Sequence, residues 1–281
     1  MGALRAAGLL CLAAVTLIVV FVRAPASLAA ARPVGGTGTG FADQASLIRA
    51  VDGGFAGYWR SGRVALTPAF GDLAGYWSRY QAVKAVSAAL LLAVLFALAR
   101  MLWRAWCAEL RPGRRGALAA SGALTTGFGV FALLVLMATV QATAAPLSSL
   151  MSMVSTGATS GPVAVALGQA RAGLSTEPDG APAAPALRVL TDDFARYHYV
   201  LVLLASLLAL SMFAAAVMTW RRRRRVSGPL DATARRTRRV LTWFSALALT
   251  LALAAVLLAA VNLSVATNPA PALLAFLQGS M

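Results

Sequence analysis

The sequence predicts an all-α, polytopic helical membrane protein. Hydrophobic residues make up 59% of the 281-residue chain and charged residues only 12%. An ordinary soluble domain carries about 45–50% and about 25% respectively. Five apolar runs approach the roughly 20 residues that a helix needs to cross the hydrocarbon core. The basic residues, nearly all arginine, gather at the ends of those runs. That distribution accounts for the net charge of +16 through the retention of arginine-rich loops on the cytoplasmic side.

The first run, Leu4–Val22, falls in a segment (1–23) that reads as a transmembrane helix. Arg5, the apolar stretch and Ala29-Ala30-Ala31 also fit the three regions of a cleaved signal peptide. Cleavage would leave four spans. The next segment, 24–80, opens near Pro25 and continues through the Gly/Thr run Gly35–Gly40 into a weakly amphipathic stretch, Ala42–Val51. Ala56-Gly57-Tyr58-Trp59 then recurs as Ala74-Gly75-Tyr76-Trp77. Gly62 and Pro68 argue against one continuous helix through both copies. The pairs Tyr58-Trp59 and Tyr76-Trp77 fit aromatic anchors at the headgroup level; the alternative is an aromatic recognition surface.

A transmembrane hairpin follows over 81–144, with spans Gln81–Trp103 and Ala117–Ala144. Its loop, 104–116, sets four arginines against Glu109. Small residues recur every four positions at Ala85, Ala89, Ala93 and Ala97, and at Ala117, Ser121, Thr125 and Gly129. Such stripes let helix backbones approach closely in lipid. Segment 145–199 begins at Pro146, passes the Ser155–Gly161 run and a weakly amphipathic stretch, Val163–Ala172, and is broken by the linker Glu177–Pro182. The short pieces of 24–80 and 145–199 read as helices lying on the rim of the bundle, too short for an independent domain. A second hairpin, 200–263, holds Val200–Trp220 and Val240–Leu263, with a looser stripe at Ala246, Thr250 and Ala254. Its loop, 221–239, carries nine arginines against Asp231. A tail, 264–281, completes the chain.

Scattered motifs recur at an offset of 121 residues: Pro25 with Pro146, Asp72–Tyr76 with Asp193–Tyr197, and Val140-Gln141 with Val261-Asn262. They suggest a tandem repeat, and the Ala-Pro steps at Pro25, Pro146 and Pro271 suggest three equivalent helix exits. The arginine-rich loops place the N-terminus in the cytoplasm of a cell-membrane protein, with 24–80, 145–199 and the C-terminal tail outside.

Candidate chemistry is sparse. His198, the single histidine, lies beside Asp192 and Asp193 at the start of a span. A zinc site usually wants more nitrogen or sulfur ligands. The five- and six-residue separations also miss the helical neighbour spacing. An interfacial aromatic cluster, with Asp193 capping the span, fits better. Gln141 and Asn262 form a polar pair suited to interhelical hydrogen bonds or, alternatively, to a cavity. No span carries a central acid or base, which counts against proton-coupled transport. Cys11 and Cys107 offer no exported disulfide framework. No hydrolase, metalloprotease or phosphate-loop motif is present, and no catalytic residue, metal or cofactor is expected.

Arg221, Arg222, Arg223, Arg224 and Arg225 suit anionic lipid headgroups at the cytoplasmic face or a topology anchor. Their loop lacks aromatic residues to stack on bases, so nucleic acid is not expected as a partner. The expected partners are the bilayer itself, a second membrane protein or a second copy. The sequence thus points to a non-enzymatic scaffold, accessory subunit or envelope component. The alternative is a small-molecule or lipid exporter built from two parallel hairpin repeats.

Overall fold

The computed structural model describes residues 2–30, 41, 43–109, 111–176, 184–225 and 232–279. The Gly35–Gly40 run, the Glu177–Pro182 linker and Asp231 lie outside them. Among the described residues the chain forms helices and no strand. In order these are α1 (Gly2–Ala29), α2 (Gln44–Ser61), α3 (Pro68–Ala108), α4 (Pro112–Ala144), α5 (Pro146–Met151), α6 (Gly161–Thr176), α7 (Pro185–Arg225), α8 (Ala232–Thr267) and α9 (Pro269–Leu277). Five of them, α1, α3, α4, α7 and α8, are long and apolar enough to cross a membrane. The chain is an all-α polytopic membrane protein.

Local chemistry sets the ends. Asp43 caps α2, its carboxylate accepting from Ser46 N at 2.7 Å while Ser46 Oγ accepts from Asp43 N at 3.2 Å. This reciprocal box satisfies two amide donors that the first turn leaves open. Gly62 closes α2 in the left-handed region, φ 62°, where a Cβ would be strained. Helix α3 then starts at Pro68, so the two Tyr-Trp pairs belong to separate helices. Proline also opens α4, α5, α7 and α9, because its fixed φ suits a first turn and its missing N–H is not needed there.

Two proline steps behave differently from the sequence expectation. Pro25 lies inside the continuous helix α1, whereas Pro146 opens a separate helix. The third break falls at Asn268-Pro269 rather than Ala270-Pro271. Helices α3 and α7 are each 41 residues long, and both α4 and α8 are followed by a proline-initiated short helix. Element order therefore repeats along the chain as the motifs do.

The chain divides into two compact units. Unit 1 comprises Met1–Phe21, Val86–Met137 and Val202–Val261. Its buried positions advance by three, four or seven residues: Ala88, Leu95 and Leu98 in α3, Ala205, Ala209 and Ala216 in α7, and Ala248, Ala252 and Ala255 in α8. In α4 the buried face passes through Gly122, Thr125 and Ala132. The expected four-residue stripes do not track these faces. Ala89, Ala93, Ala117, Ser121, Ala246, Thr250 and Ala254 are exposed. Four residues advance about 40° more than one full turn, so a strict four-spacing winds off a contact face, while alternation averaging 3.5 stays on it. Large apolar side chains, among them Phe96, Phe131, Leu210 and Leu257, cover the remaining faces, as bilayer-facing surfaces require.

Unit 2 comprises Val22–Ala85, Ala138–Leu201 and Asn262–Met281. It has its own apolar core, with Val51, Phe55, Tyr58, Phe70, Leu150 and Leu167 at 0% exposure. The short helices therefore do not lie separately on a rim. Helices α2, α5, α6 and α9 bury their apolar faces together with residues of α3 and α7. Each segment alone has too little apolar surface, but each buried Leu or Phe adds about 1.5–3 kcal/mol once they meet.

Candidate functional site

Unit 2 places the predicted polar residues along α7. Gln141 of α4 is 4% exposed and donates from Nε2 to the Tyr197 carbonyl at 3.0 Å. Asn262 of α8 is 7% exposed, and its Oδ1 lies 2.7 Å from His198 Nδ1. Gln141 and Asn262 thus make interhelical hydrogen bonds, each to adjacent positions of α7 rather than to one another. The His198 ring also packs edge-on against Phe194, with centroids 4.7 Å apart. His198 belongs to an aromatic cluster, as expected, but a buried amide partner anchors it.

Asp193 occupies a different role from the one its sequence position suggests. It lies inside α7, which begins at Pro185, so it cannot cap that helix. Its carboxylate instead accepts from Ser148 N at 2.7 Å and Ser148 Oγ at 2.8 Å. Ser148 stands in the first turn of α5, so Asp193 caps a helix 45 residues earlier in the chain. Negative charge at a helix N-terminus is stabilising. No signal near Asp193 names this partner, because the pairing exists only once α5 and α7 meet.

The aromatic pairs are core rather than anchor. Tyr58 is 0%, Tyr76 3% and Trp77 7% exposed. Tyr58 donates to the Val64 carbonyl at 3.1 Å and stacks on Phe70. Trp77 Nε1 donates to Ser149 Oγ at 3.0 Å, and Trp59 Nε1 to Gln169 Oε1 at 2.7 Å. Tyr58, Tyr76 and Trp77, buried in this way, form neither a headgroup anchor nor a recognition surface; Trp59 is only partly buried. The hydrogen bonds of Tyr58, Trp59 and Trp77 inside unit 2 offset the cost of removing their polar atoms from water.

Further ties escaped the sequence. Asp52 accepts from Ser155 N at 3.0 Å and Ser155 Oγ at 2.7 Å. Arg171 donates to the Thr156 carbonyl at 2.8 Å and, through Nε, to the Leu277 carbonyl at 3.0 Å. Nothing around Asp52 or Arg171 distinguishes them from solvated charges in the sequence. Together these bonds join α2, α6 and α9 to the loop between α5 and α6.

In unit 1, Arg221–Arg225 form the last turn of α7, where positive charge complements the helix dipole. Arg223 lies over the Trp220 ring, 4.6 Å from its centroid. Among the described residues, no group of three His, Cys, Asp or Glu side chains is placed to hold a metal ion. The fold and these contacts define a polytopic helical membrane protein with an internally bonded second unit. No family model, curated protein or solved structure matches the chain.

Proposed function

We propose that the protein acts by interaction, as a membrane-embedded scaffold, accessory subunit or envelope component, without chemistry of its own. The observation that carries this reading is the use of the polar side chains in unit 2. Asp193, His198, Asn262, Gln141, Asp52 and Arg171 all tie one chain segment to another. Groups held this way rigidify a surface rather than meet a substrate. The exporter reading draws less support, because Gln141 and Asn262 are buried and bonded to α7 instead of lining open space. Mild crosslinking in the native membrane followed by purification tests the scaffold reading. A recurrent partner or second copy is expected; recovery as a lone monomer would remove its basis.

The proposed orientation keeps the N-terminus and both arginine-rich loops in the cytoplasm, and unit 2 and the C-terminus outside. A reporter joined after Arg225 should be active only on the cytoplasmic side; activity on the other side would reverse the assignment. We also propose that the first span is retained. Pro25 and Ala29 are fully buried, and Arg79 Nε donates to the Ala29 carbonyl at 3.3 Å. A cleavage site needs an extended, reachable backbone, and Ala29 is helical and covered.

A further inference from the structure

The arginine-rich ends of three helices in unit 1 enclose a two-part recess. Arg115 of α4 and Arg235, Arg236 and Arg239 of α8 surround a hollow of about 280 Å³ together with Trp106 of α3. Trp106 and Arg239 also line an adjoining cleft of about 460 Å³. The cleft is otherwise mostly apolar, walled by Trp103, Ala123, Trp243, Phe244 and Leu247 among others. Among the described residues, no acidic side chain lines either part.

The walls are held in place. Trp103 Nε1 donates to Thr126 Oγ1 at 3.2 Å, and its ring meets Phe244 edge-on at 5.6 Å. Arg236 Nη1 donates to the Glu109 carbonyl at 2.6 Å. Trp243 is 70% exposed at the cleft edge.

We propose that this recess binds an anionic phospholipid, its phosphate in the arginine hollow and the upper part of an acyl chain in the aromatic cleft. Four guanidinium groups around one small hollow match a phosphate, to which each can offer paired N–H···O bonds. A free anion would use the hollow and ignore the cleft. A zwitterionic lipid would use the cleft but meet the hollow with no net charge. Only an anionic amphiphile satisfies both parts, and the cleft opens among apolar helix faces that already meet lipid. The site is independent of the scaffold reading and differs from Arg221–Arg225, none of which lines it.

The test uses the full-length protein in mixed micelles containing phosphatidylglycerol or phosphatidylcholine, with lipid retention read by native mass spectrometry. Phosphatidylglycerol should be preferred, and inorganic phosphate should not displace it. At about fivefold per arginine near a membrane surface, R115Q/R235Q/R239Q should weaken that preference about a hundredfold. Ala123→Phe fills the cleft while keeping every arginine, and hence the charge that directs insertion; it should also abolish retention. R222Q/R223Q/R224Q should leave retention unchanged. Equal retention of the two lipids, displacement by inorganic phosphate, undiminished binding in Ala123→Phe, or an equal loss in R222Q/R223Q/R224Q would each overturn the site.

Discussion

At the scale of single residues, Asp193 and Gly122 carry the sharpest consequences. Asp193 is buried and holds both donors of Ser148 through one carboxylate oxygen. Asp193→Ala leaves those donors unpaired, which costs about 1–3 kcal/mol. Thermal unfolding in detergent should show the midpoint fall for Asp193→Ala and fall less for Asp193→Asn, which keeps an acceptor. An equal drop for both variants would assign the effect to charge rather than to the cap. Gly122 matters for space: a Cβ there would lie 3.1 Å from Trp103 Cε2. Gly122→Ala requires the Trp103 ring to give by a few tenths of an ångström; a ring that cannot move imposes an overpacking cost of about 1–3 kcal/mol. Its signature is a shifted tryptophan emission as the Trp103–Thr126 bond loosens; unchanged emission would mean the ring adapts in place. Gln141 and Asn262 were legible as bonding residues because amides near the ends of apolar runs still need partners. Their shared partner α7 was not, since sequence spacing carries no information about which helix stands opposite.

At the scale of elements, the spans were readable, while caps and packing faces were not. The capping box of α2 predicts an acid-sensitive start. Hydrogen bonds from Ser46, first from its backbone N–H and then from its side chain, hold the Asp43 carboxyl below its ordinary 3.8. A lowered pKa contributes stability that is present above the ordinary value and is lost as pH falls through the lowered folded value. The protection of first-turn amides of α2, taken relative to their intrinsic exchange rates, should therefore fall in acid below 3.8, and Asp43→Ala should show low protection already at neutral pH. Unchanged protection in Asp43→Ala would show that the box does not hold the helix start. Helix α1 predicts a processing outcome. With Ala29 covered and Pro25 inside the helix, the purified chain should retain the segment Leu4–Val22. Loss of the first thirty or so residues by mass spectrometry would restore the signal-peptide reading. The small-residue stripes misled because alanine is abundant throughout the spans. Four-spaced matches then arise on every face, and only neighbouring helices select the face that is used.

At the scale of the whole molecule, the chain forms two units with different packing. Unit 1 shows its bulky apolar side chains and buries alanines, the arrangement that suits helices in lipid. Unit 2 buries aromatics and pairs polar atoms internally, as a packed core does. Alanine at Phe55 or Phe70 should therefore lower stability by about 3–5 kcal/mol and expose unit 2 to protease. Alanine at lipid-facing Phe131 should change stability little; a comparable loss there would mean that this face is packed rather than solvated by lipid.

The sequence by itself determined the class and the five spans, and one proline step, at Pro146, where a helix does begin. Hydropathy over about 20 residues and the fixed φ of proline act locally, so local residues disclose them. Only the tertiary structure decided that the short helices share one core, that Asp193 caps α5, that Tyr58, Tyr76 and Trp77 are buried, and which arginines line a common hollow. Each of these joins residues far apart in the chain. Their energy comes from area and charge that exist together only after the segments have packed.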